Sequence, residues 1–306
     1  MLTCENHRLK VTQEDNSRYY GWEELETLLI LGPHNISTPC LRQAMKHSVA
    51  IHFASRYGQY QGVACGNSPT QGHQMWQLQL AYLQQTDIAL QWSIALVGAK
   101  IDGHIELIRN RDRQSALMEK LRAIKRKAKR SPDLQVLLGI EGEAAKLLWQ
   151  FFRTHLDDEW QFSGRNKRPP KDPINAMLSL GYTYLYHLTD SLIQSNGLCP
   201  WIGFYHQNHG AHRTLASDLM EPFRVVVDRT VLSLVAKRQI KPEDFLTLES
   251  GCEMSRDARK VLLTQLLADL TMKRKKQDRV IDQMITQVRE VKIATKLGAT
   301  PNFWRP

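Results

Sequence analysis

The sequence lacks the features that mark several common classes of protein. Its five cysteines are widely spaced and odd in number, and no CxxC pair indicates a zinc or redox site, so we expect reduced, structural thiols. No apolar run approaches the ~20 residues that cross a bilayer, and the first residues lack the apolar core of a signal peptide. No internal repeat is evident. We therefore expect a cytoplasmic, globular protein that does not enter a membrane.

Acidic side chains are also fewer than basic ones, and this imbalance bears on the partner. The 306 residues include 41 Lys and Arg against 31 Asp and Glu, a formal net charge of +10. Such an excess favours a polyanionic partner, either nucleic acid or an acidic membrane surface, and charge alone does not choose between them. With 42% hydrophobic residues, the chain can bury a sizeable core in one large domain or two smaller ones.

Hydrophobic patterning divides the chain into two parts. Apolar and β-branched runs punctuated by glycine predict strands over the first ~75 residues, with a hairpin tip at 56–62. From about Gln71 the pattern becomes helical. The sequence thus predicts an α+β fold, with a small β-rich N-terminal domain over residues 1–75 and a larger, mostly α-helical domain over residues 76–306. The basic, proline-rich loop at 163–173 should be an exposed connection between helices.

One short helix is predicted within the β-rich part. Thr38 can serve as its N-cap, and Pro39 suits its first position. Its buried face would comprise Leu41, Ala44 and Met45. A strand, helix, strand order fits a small mixed domain.

The stretch GIEGEAAKLLWQFF, residues 139–152, places an acid directly before an apolar stripe. The stripe recurs three and four residues apart, which predicts one buried helical face. Its members are Ala144, Leu147, Leu148, Phe151 and Phe152. Glu141 would then lie in the first helical turn, where it can stabilise the helix dipole by roughly 0.3–1 kcal/mol. It can also be a metal-binding carboxylate, and the two roles are compatible.

Residues 198–224 contain three histidines at steps of three: His206, His209 and His212. The triplet suggests zinc. We disfavour zinc, because no cysteine pair accompanies the histidines and Gly210 argues against one continuous helix that carries all three.

Two acids follow the histidines and suit a different metal. Asp218 and Glu221 are three residues apart, which places both on one face if the segment is helical. One histidine with two carboxylates suits Mn²⁺ or Mg²⁺. Glu141, His206 and Glu221 could form that set, although spacing alone does not show that they meet.

Two basic clusters, at 120–130 and 273–279, could follow a phosphate backbone. Runs of charge are also common on solvated helix faces. The sequence leaves both interpretations open for each run.

Four motifs in order extend these inferences through a resemblance. LLGIEGEAAKLLW, PINAMLSLGYTYLY, CPWIGFYH and TLASDLMEPFR resemble, in order and rough spacing, the motif series of the CRISPR-associated spacer integrase family, the first-numbered Cas protein. The resemblance implies a metal-dependent DNA endonuclease and integrase with an N-terminal β domain and a C-terminal helical domain. It also implies a homodimer, with dimerisation through the β domain, whose dimers flank the small second-numbered Cas protein and hold a short duplex of foreign DNA.

The resemblance also assigns roles to residues. The glutamate of the EG motif falls on Glu141, the histidine of GFxH on His206, and the last acid of DLxEPFR on Glu221; these are implied to be catalytic and to bind Mg²⁺ or Mn²⁺. Asp218 matches the first acid of that motif and is implied to support the metal site. The insert after GFYH is longer and richer in histidine than is usual in the family, so the other two histidines receive no role.

The implied reaction is transesterification, in which the 3′-hydroxyl of the incoming DNA attacks a phosphate at the edge of a CRISPR repeat, with a divalent ion polarising that phosphate. The basic residues expected to position the DNA backbones are Lys125, Arg126, Lys127, Arg165, Lys167, Arg168 and Arg224. Two alternatives stay open. One is a transposon-type integrase with the same catalytic domain, and the other is a non-enzymatic basic protein that bridges DNA and whose acids only stabilise helices.

Overall fold

The computed structural model describes residues 1–13, 16–25, 27–55, 60–66, 71–167, 169–206, 212–249, 251–273 and 278–306. Some residues singled out above therefore lie outside the described residues: 56–59 of the hairpin tip, Arg168, His209 and 274–277. The predicted fold class is confirmed, because strands form the N-terminal part and most of the remainder is helical. No helix in the described ranges is both long enough and apolar enough to span a membrane.

Two small sheets form the N-terminal part. Their strands are β1 (Leu2–Glu5), β2 (Arg8–Gln13), β3 (Asn16–Tyr20), β4 (Thr27–Leu31), β5 (Ala50–Ala54) and β6 (Tyr60–Ala64). β1, β2 and β3 form an antiparallel sheet, whereas β5 lies parallel to β4 and antiparallel to β6. A parallel pair needs a crossover connection, and α1 (Thr38–Lys46) supplies it between β4 and β5. The predicted strand, helix, strand order is therefore confirmed.

Helix α1 differs from the prediction in its cap and in its buried face. Ser37, not Thr38, is the N-cap, and its hydroxyl accepts the backbone N–H of Cys40 at 3.4 Å. Both residues carry a hydroxyl that can cap, so the sequence did not separate them. The buried residues are Cys40 and Ala44, whereas Met45 is 36% exposed. The difference arises because α1 packs against β1 and β5, and these neighbours select the buried stripe.

The N-terminal part has a hydrophobic core of its own. Its buried members are Leu2, Leu9, Trp22, Ile30, Cys40, Ala44, Val49 and Ile51. This cluster is separate from the larger core of the helical part. The N-terminal part and the helical part therefore each have a hydrophobic cluster of their own.

The helical part begins at Gln71. Its helices are α2 (Gln71–Leu83), α3 (Thr86–Arg111), α4 (Leu117–Ala128), α5 (Leu134–His155), α6 (Pro173–Ser195), α7 (Thr214–Met220), α8 (Arg224–Ala236), α9 (Arg256–Thr271) and α10 (Val280–Leu297). A hairpin of β7 (Phe245–Leu248) and β8 (Gly251–Met254) was not predicted. α3 is buried on most of its circumference and contacts α4, α5 and α8, while α6 packs against β4, β5 and β6 and joins the two parts.

Helix α5 begins well before the apolar stripe that predicted it. Asp133 is its N-cap and accepts the backbone N–H of Val136 at 2.8 Å. Leu137 and Ile140 extend the buried stripe toward the N-terminus, so Glu141 lies about two turns inside the helix. The prediction that Glu141 stabilises the first turn is therefore wrong, because the helix dipole acts mainly within the terminal turn.

Candidate active site

Two carboxylates and one ammonium group meet in the interior of the helical part. Glu141 on α5 and Glu221, in a short 3₁₀ turn after α7, both contact the ammonium of Lys100 on α3. The distance from Lys100 Nζ to Glu221 Oε2 is 2.5 Å, and these two side chains are 10% and 4% exposed. α5 and the 3₁₀ turn both pack against α3. This packing brings together three residues that are far apart in the sequence.

Burial and charge oppose each other in this cluster. Burial would raise the pKa of the Glu221 carboxyl, but Arg224 and Lys100 hold it well below its usual range. Burial also acts to raise the pKa of Glu141, yet the positive charge and hydrogen bond of Lys100 lower it. The ammonium of Lys100 is disfavoured by burial, but the two carboxylates more than offset this effect and raise its pKa. All three groups are therefore charged at neutral pH.

The second oxygen of Glu141 has a different partner. The Tyr205 hydroxyl donates to Glu141 Oε2 at 2.6 Å. Burial, reinforced by the negative charge of Glu141, raises the pKa of Tyr205, so the hydroxyl keeps its proton and remains a donor. Tyr205 directly precedes His206, so this hydrogen bond ties the GFYH loop, residues 203–206, to α5.

His206 lies within electrostatic range of both glutamates and is held by Asp218. The His206 Nδ1 and Asp218 Oδ1 atoms are 2.7 Å apart. Burial acts to lower the pKa of the imidazole, but the hydrogen bond and charge of Asp218 raise it above its usual value. With Nδ1 engaged, Nε2 is the nitrogen available to a ligand.

Asp218 also fixes the loop that carries His206. Its carboxylate is fully buried and accepts the backbone N–H groups of Phe204, Tyr205 and His206 at 2.8–3.1 Å. Both of its oxygens are thereby engaged. Asp218 thus orients His206 and fits the supporting role that the resemblance implied.

Gly203 permits this close approach. A Cβ at this position would lie 2.6 Å from Asp218 Oδ2 and 2.9 Å from the backbone nitrogen of Leu215. A larger residue would therefore push the loop away from α7 and break its contacts with Asp218. The glycine of the GFYH motif thus has a steric role.

Arg224 is the second cationic partner of Glu221. Its Nη1 lies 2.7 Å from Glu221 Oε1, and its guanidinium carbon lies 4.0 Å from the centre of the Tyr182 ring. The Tyr182 hydroxyl donates to Asp228, whose pKa is raised to about 6 by burial. Arg165 lies 5.5 Å from the centre of the same ring. One aromatic ring therefore links two arginines to the site.

The basic loop 163–173 is only partly exposed, so the prediction of a plain exposed connection is wrong. Arg165 is half-buried and donates to Asn175 Oδ1 at 2.7 Å, which folds the loop onto the first turn of α6. Much of Lys167 is exposed, yet the surrounding protein desolvates its ammonium and lowers its pKa, and the charges of Arg224 and Arg165 lower it further. The hydrogen bonds to the buried Asn175 side chain explain why this polar loop is not simply solvated.

The family described as CRISPR associated protein Cas1 matches residues 1–267. The chain belongs to the Cas1 family. The resemblance on which the site residues were predicted is therefore confirmed, while their catalytic role stays a prediction.

Curated relatives agree with this family. A CRISPR-associated endonuclease Cas1 of Thermus thermophilus is 34% identical over 241 residues, which cover 76% of this chain and 70% of the relative. A CRISPR-associated exonuclease Cas4/endonuclease Cas1 fusion of Geobacter sulfurreducens is 32% identical over 259 residues, or 78% of this chain. The match spans 45% of the length of that fusion.

Solved structures share the fold over the whole chain. A partial Cas6-RT-Cas1–Cas2 complex gives a TM-score of 0.90 at 28% identity and covers 100% of this chain and 95% of that one. A casposase bound to an integration product gives a TM-score of 0.79 at 20% identity and covers 97% and 93%. The casposase similarity shows a common fold.

Two polar residues of this Cas1 site were missed in the sequence. Lys100 lies within LVGAKI, where a lysine interrupts an apolar helix. Lysine is almost never buried unless it is paired, so this interruption was the available signal for an acidic partner. Tyr205 lies inside the quoted GFYH motif, but nothing in the sequence showed that its hydroxyl would reach Glu141.

The basic residues of α4 in this Cas1 chain are largely ion-paired. Lys125 Nζ lies 2.5 and 2.7 Å from the oxygens of Asp102, and Lys127 Nζ lies 2.9 and 3.1 Å from those of Glu143. Arg126 is exposed. A DNA-binding role for this run stays a prediction.

Two other features noted in the sequence have local partners. His212 Nε2 lies 3.0 Å from Ser217 Oγ, and its ring stacks on Tyr186. Arg279, at the end of the second basic cluster, pairs with Asp282 one helical turn away at 2.7 Å. His212 is thus engaged with α6 and α7, and Arg279 with the first turn of α10.

Proposed function

We propose that this chain is a divalent-metal-dependent DNA endonuclease and integrase that inserts short foreign DNA into a CRISPR array by transesterification. The meeting of Glu141 and Glu221 at Lys100, with His206 within electrostatic range of both glutamates, carries the proposal. The names of the relatives, which include endonuclease Cas1, support the strand-cleavage part of this proposal.

The donor set suits Mg²⁺ or Mn²⁺. Glu141 and Glu221 would supply carboxylate oxygens and His206 its Nε2, because Nδ1 is bonded to Asp218. The two carboxylates already share the cationic Lys100, so they can face one cation together. Among the described residues, no three His, Cys, Asp or Glu side chains are grouped closely enough to hold an ion as they stand, so side chains would move on binding. A bound ion would supply Lewis-acid stabilisation of the charge that develops on the attacked phosphate.

Fixed cations of the site would hold that phosphate. Arg224 is anchored by Glu221 and Tyr182, and Arg165 by hydrogen bonds to α6. Lys167 carries a lowered pKa because of the protein and cations around it, which makes an anion there favourable. Such preorganised charges orient a phosphodiester for in-line attack. No protein nucleophile is needed, because the attacking 3′-hydroxyl belongs to the incoming DNA.

We also propose that the protein acts as a homodimer together with a small Cas2 protein. The match to the partial Cas6-RT-Cas1–Cas2 complex over the full length of this chain supports such an assembly. Two copies of the site, held at a fixed distance, would suit the two ends of one short duplex.

A gel assay for strand cleavage and branched joining products tests the function. Glu141→Gln, Glu221→Gln and His206→Ala should each abolish both reactions while DNA affinity stays nearly unchanged. Glu143→Gln is the matched control, since Glu143 lies on the same helix as Glu141 but is half-exposed and paired with Lys127. Full activity of Glu141→Gln, or activity in excess chelator, would contradict metal-dependent catalysis, whereas DNA binding by the wild type without cleavage or joining would favour the non-enzymatic bridging protein.

The donor DNA separates an integrase from a nuclease. A duplex with free 3′-hydroxyls should join to a repeat-containing target, whereas 3′-dideoxy ends should stop joining without preventing DNA binding. Branched product from the dideoxy donor would exclude transesterification. Cleavage without joining from either donor would leave only a nuclease.

A further inference from the structure

The ammonium of Lys100 lies between the two carboxylates that are proposed to bind the divalent ion. It contacts Glu141 Oε1 and lies 2.5 Å from Glu221 Oε2, and its side chain is 10% exposed. A buried lysine on the central helix α3 depends on these acids, because an unpaired buried charge is strongly disfavoured. Glu141 and Glu221 in turn need Lys100 as a cationic partner as long as no other cation lies between them.

The charges of the cluster are balanced in this arrangement. Lys100 and Arg224 carry two positive charges, and Glu141 and Glu221 carry two negative ones. A divalent ion added between the carboxylates would put two further positive charges beside the ammonium in a site screened from solvent. Like charges repel strongly in such surroundings, so the ammonium and the ion compete for one position.

We propose that Lys100 is a built-in counter-ion, which occupies the position between Glu141 and Glu221 in the ion-free protein and leaves it when a divalent ion binds. This inference rests on the proposed function, because it takes both glutamates as ligands of the ion. It adds a residue that none of the sequence motifs indicated, and it gives that residue a role in ion binding.

The two cations of the cluster differ in their ability to move. Lysine is a point charge on a flexible four-carbon stem, so its ammonium can leave the carboxylates while its backbone stays in place. Arg224 is held by Glu221 at 2.7 Å and by the Tyr182 ring at 4.0 Å, which fixes the planar guanidinium. The ion should therefore displace Lys100 and leave Arg224 in position.

This competition predicts opposite effects on two measurable quantities. Replacing Lys100 by a neutral residue should lower the thermal midpoint of the ion-free protein, because two buried carboxylates lose their shared partner. The same change should tighten divalent-ion binding, because no ammonium has to be displaced. A residue that merely scaffolds the site would lower both stability and ion affinity.

The experiment is a Mn²⁺ titration of the full chain, in which the spectroscopic signal of free Mn²⁺ is followed by electron paramagnetic resonance. We expect Lys100→Met and Lys100→Gln to lower the Kd for Mn²⁺ by about tenfold, since each removes one competing charge. The Mn²⁺-induced rise in thermal midpoint should also be larger in both variants than in the wild type. Lys100→Gln retains a hydrogen-bond donor and provides the comparison if the methionine variant does not fold.

Lys125→Met is the matched control. Lys125 is a partly buried lysine that is paired with Asp102, and it contacts neither glutamate of the site. Its replacement should leave the Kd for Mn²⁺ unchanged. Wild-type binding with equal or weaker binding by both Lys100 variants would overturn this inference alone, whereas absence of Mn²⁺ binding by the wild type and both variants would contradict the proposed function as well.

Discussion

Two sets of basic side chains in this Cas1-family protein have opposite surroundings. Lys100 and Arg224 lie inside the helical part against Glu221, which is 4% exposed. On α4, Arg122 pairs with Glu119 one helical turn away, and these two side chains are 43% and 71% exposed. Both sets pair a basic side chain with a glutamate. Water screens the charges of Arg122 and Glu119, however, and does not screen those around Glu221.

The difference shows that the number of basic residues in a segment does not indicate how much they contribute to the stability of the fold. The α4 run has the higher density of charge, but each of its exposed pairs should contribute ~0–1 kcal/mol. Breaking a buried pair by removing one partner costs more, because it leaves an uncompensated charge in the interior. Single substitutions in each kind of surroundings test this contrast.

Arg224→Met should have the largest effect. It leaves the buried Glu221 carboxylate with Lys100 alone and removes the contact with the Tyr182 ring, so we expect a loss of about 3–5 kcal/mol in the free energy of unfolding. Arg122→Met on α4 should change it by ~0.5 kcal/mol or less. The free energy of unfolding of both variants is measured in urea without divalent ions. Equal losses would show that the buried and the exposed pairs contribute equally to stability.

A buried acid, Asp228, should make the stability of the protein depend on pH. Burial raises the pKa of Asp228 from 3.8 to about 6 in the folded protein. The folded state then holds the proton more tightly than the unfolded state does, so the contribution of Asp228 to stability is greatest at low pH and is lost as the pH rises from about 4 to about 6. Asp228→Asn cannot titrate. The wild type should lose about 3 kcal/mol relative to this variant across that window, at 1.36 kcal/mol per unit of pKa.

Urea unfolding of the wild type and Asp228→Asn at pH 4, 5, 6 and 7 makes the measurement. The other acids titrate in both proteins and cancel in the difference. A difference that stays constant over this range would show that Asp228 is not the titrating group.

Asp218 and Asp102 allow a fully buried acceptor to be compared with a partly exposed one. Asp218 is fully buried and accepts three backbone N–H groups and His206, whereas Asp102 pairs with Lys125 and is 23% exposed. Asp218→Asn should cost about 1.5–3 kcal/mol, because one charged acceptor is lost and the amide group faces N–H donors. Asp102→Asn should cost ~1 kcal/mol or less.

Nuclear magnetic resonance titration adds a second readout for Asp218. The pKa of His206 should fall in Asp218→Asn, since the hydrogen bond and charge of Asp218 are what raise it above its usual value. It should not change in Asp102→Asn. An unchanged pKa in both variants would mean that Asp218 does not orient the imidazole.

The smallest expected effect belongs to the exposed charges of α4. If Arg126 contacts a phosphate, Arg126→Gln should lower the slope of log affinity against log salt by about 0.9 for duplex DNA, without changing sequence preference. The free energy of unfolding should change by ~0.5 kcal/mol or less. Fluorescence anisotropy at several salt concentrations makes the measurement, and an unchanged slope would assign Arg126 to a plain solvated helix face.

The order of the main elements followed from the sequence, and its resemblance to a known motif series indicated most of the candidate site residues. The change from alternating apolar runs to a three-and-four spacing separated the β-rich part from the helices, because each periodicity reports one local backbone geometry. The motifs that contain Glu141, His206 and Glu221 were also readable, since they are contiguous stretches. Asp218 was found in the same way, and its spacing from Glu221 predicted that both acids share one face of a helix.

Only the tertiary structure decided which side chains share a partner. Lys100 meets Glu141 and Glu221 because α5 and the 3₁₀ turn pack against one stretch of α3, and no spacing in the sequence encodes that meeting. The placement of Glu141 in a first turn had a local cause, because Asp133 and the residues that follow it were not recognised as the start of the helix. Periodicity shows which face of a helix is buried, whereas the partner of a buried charge is chosen by whichever element covers it, often many residues away.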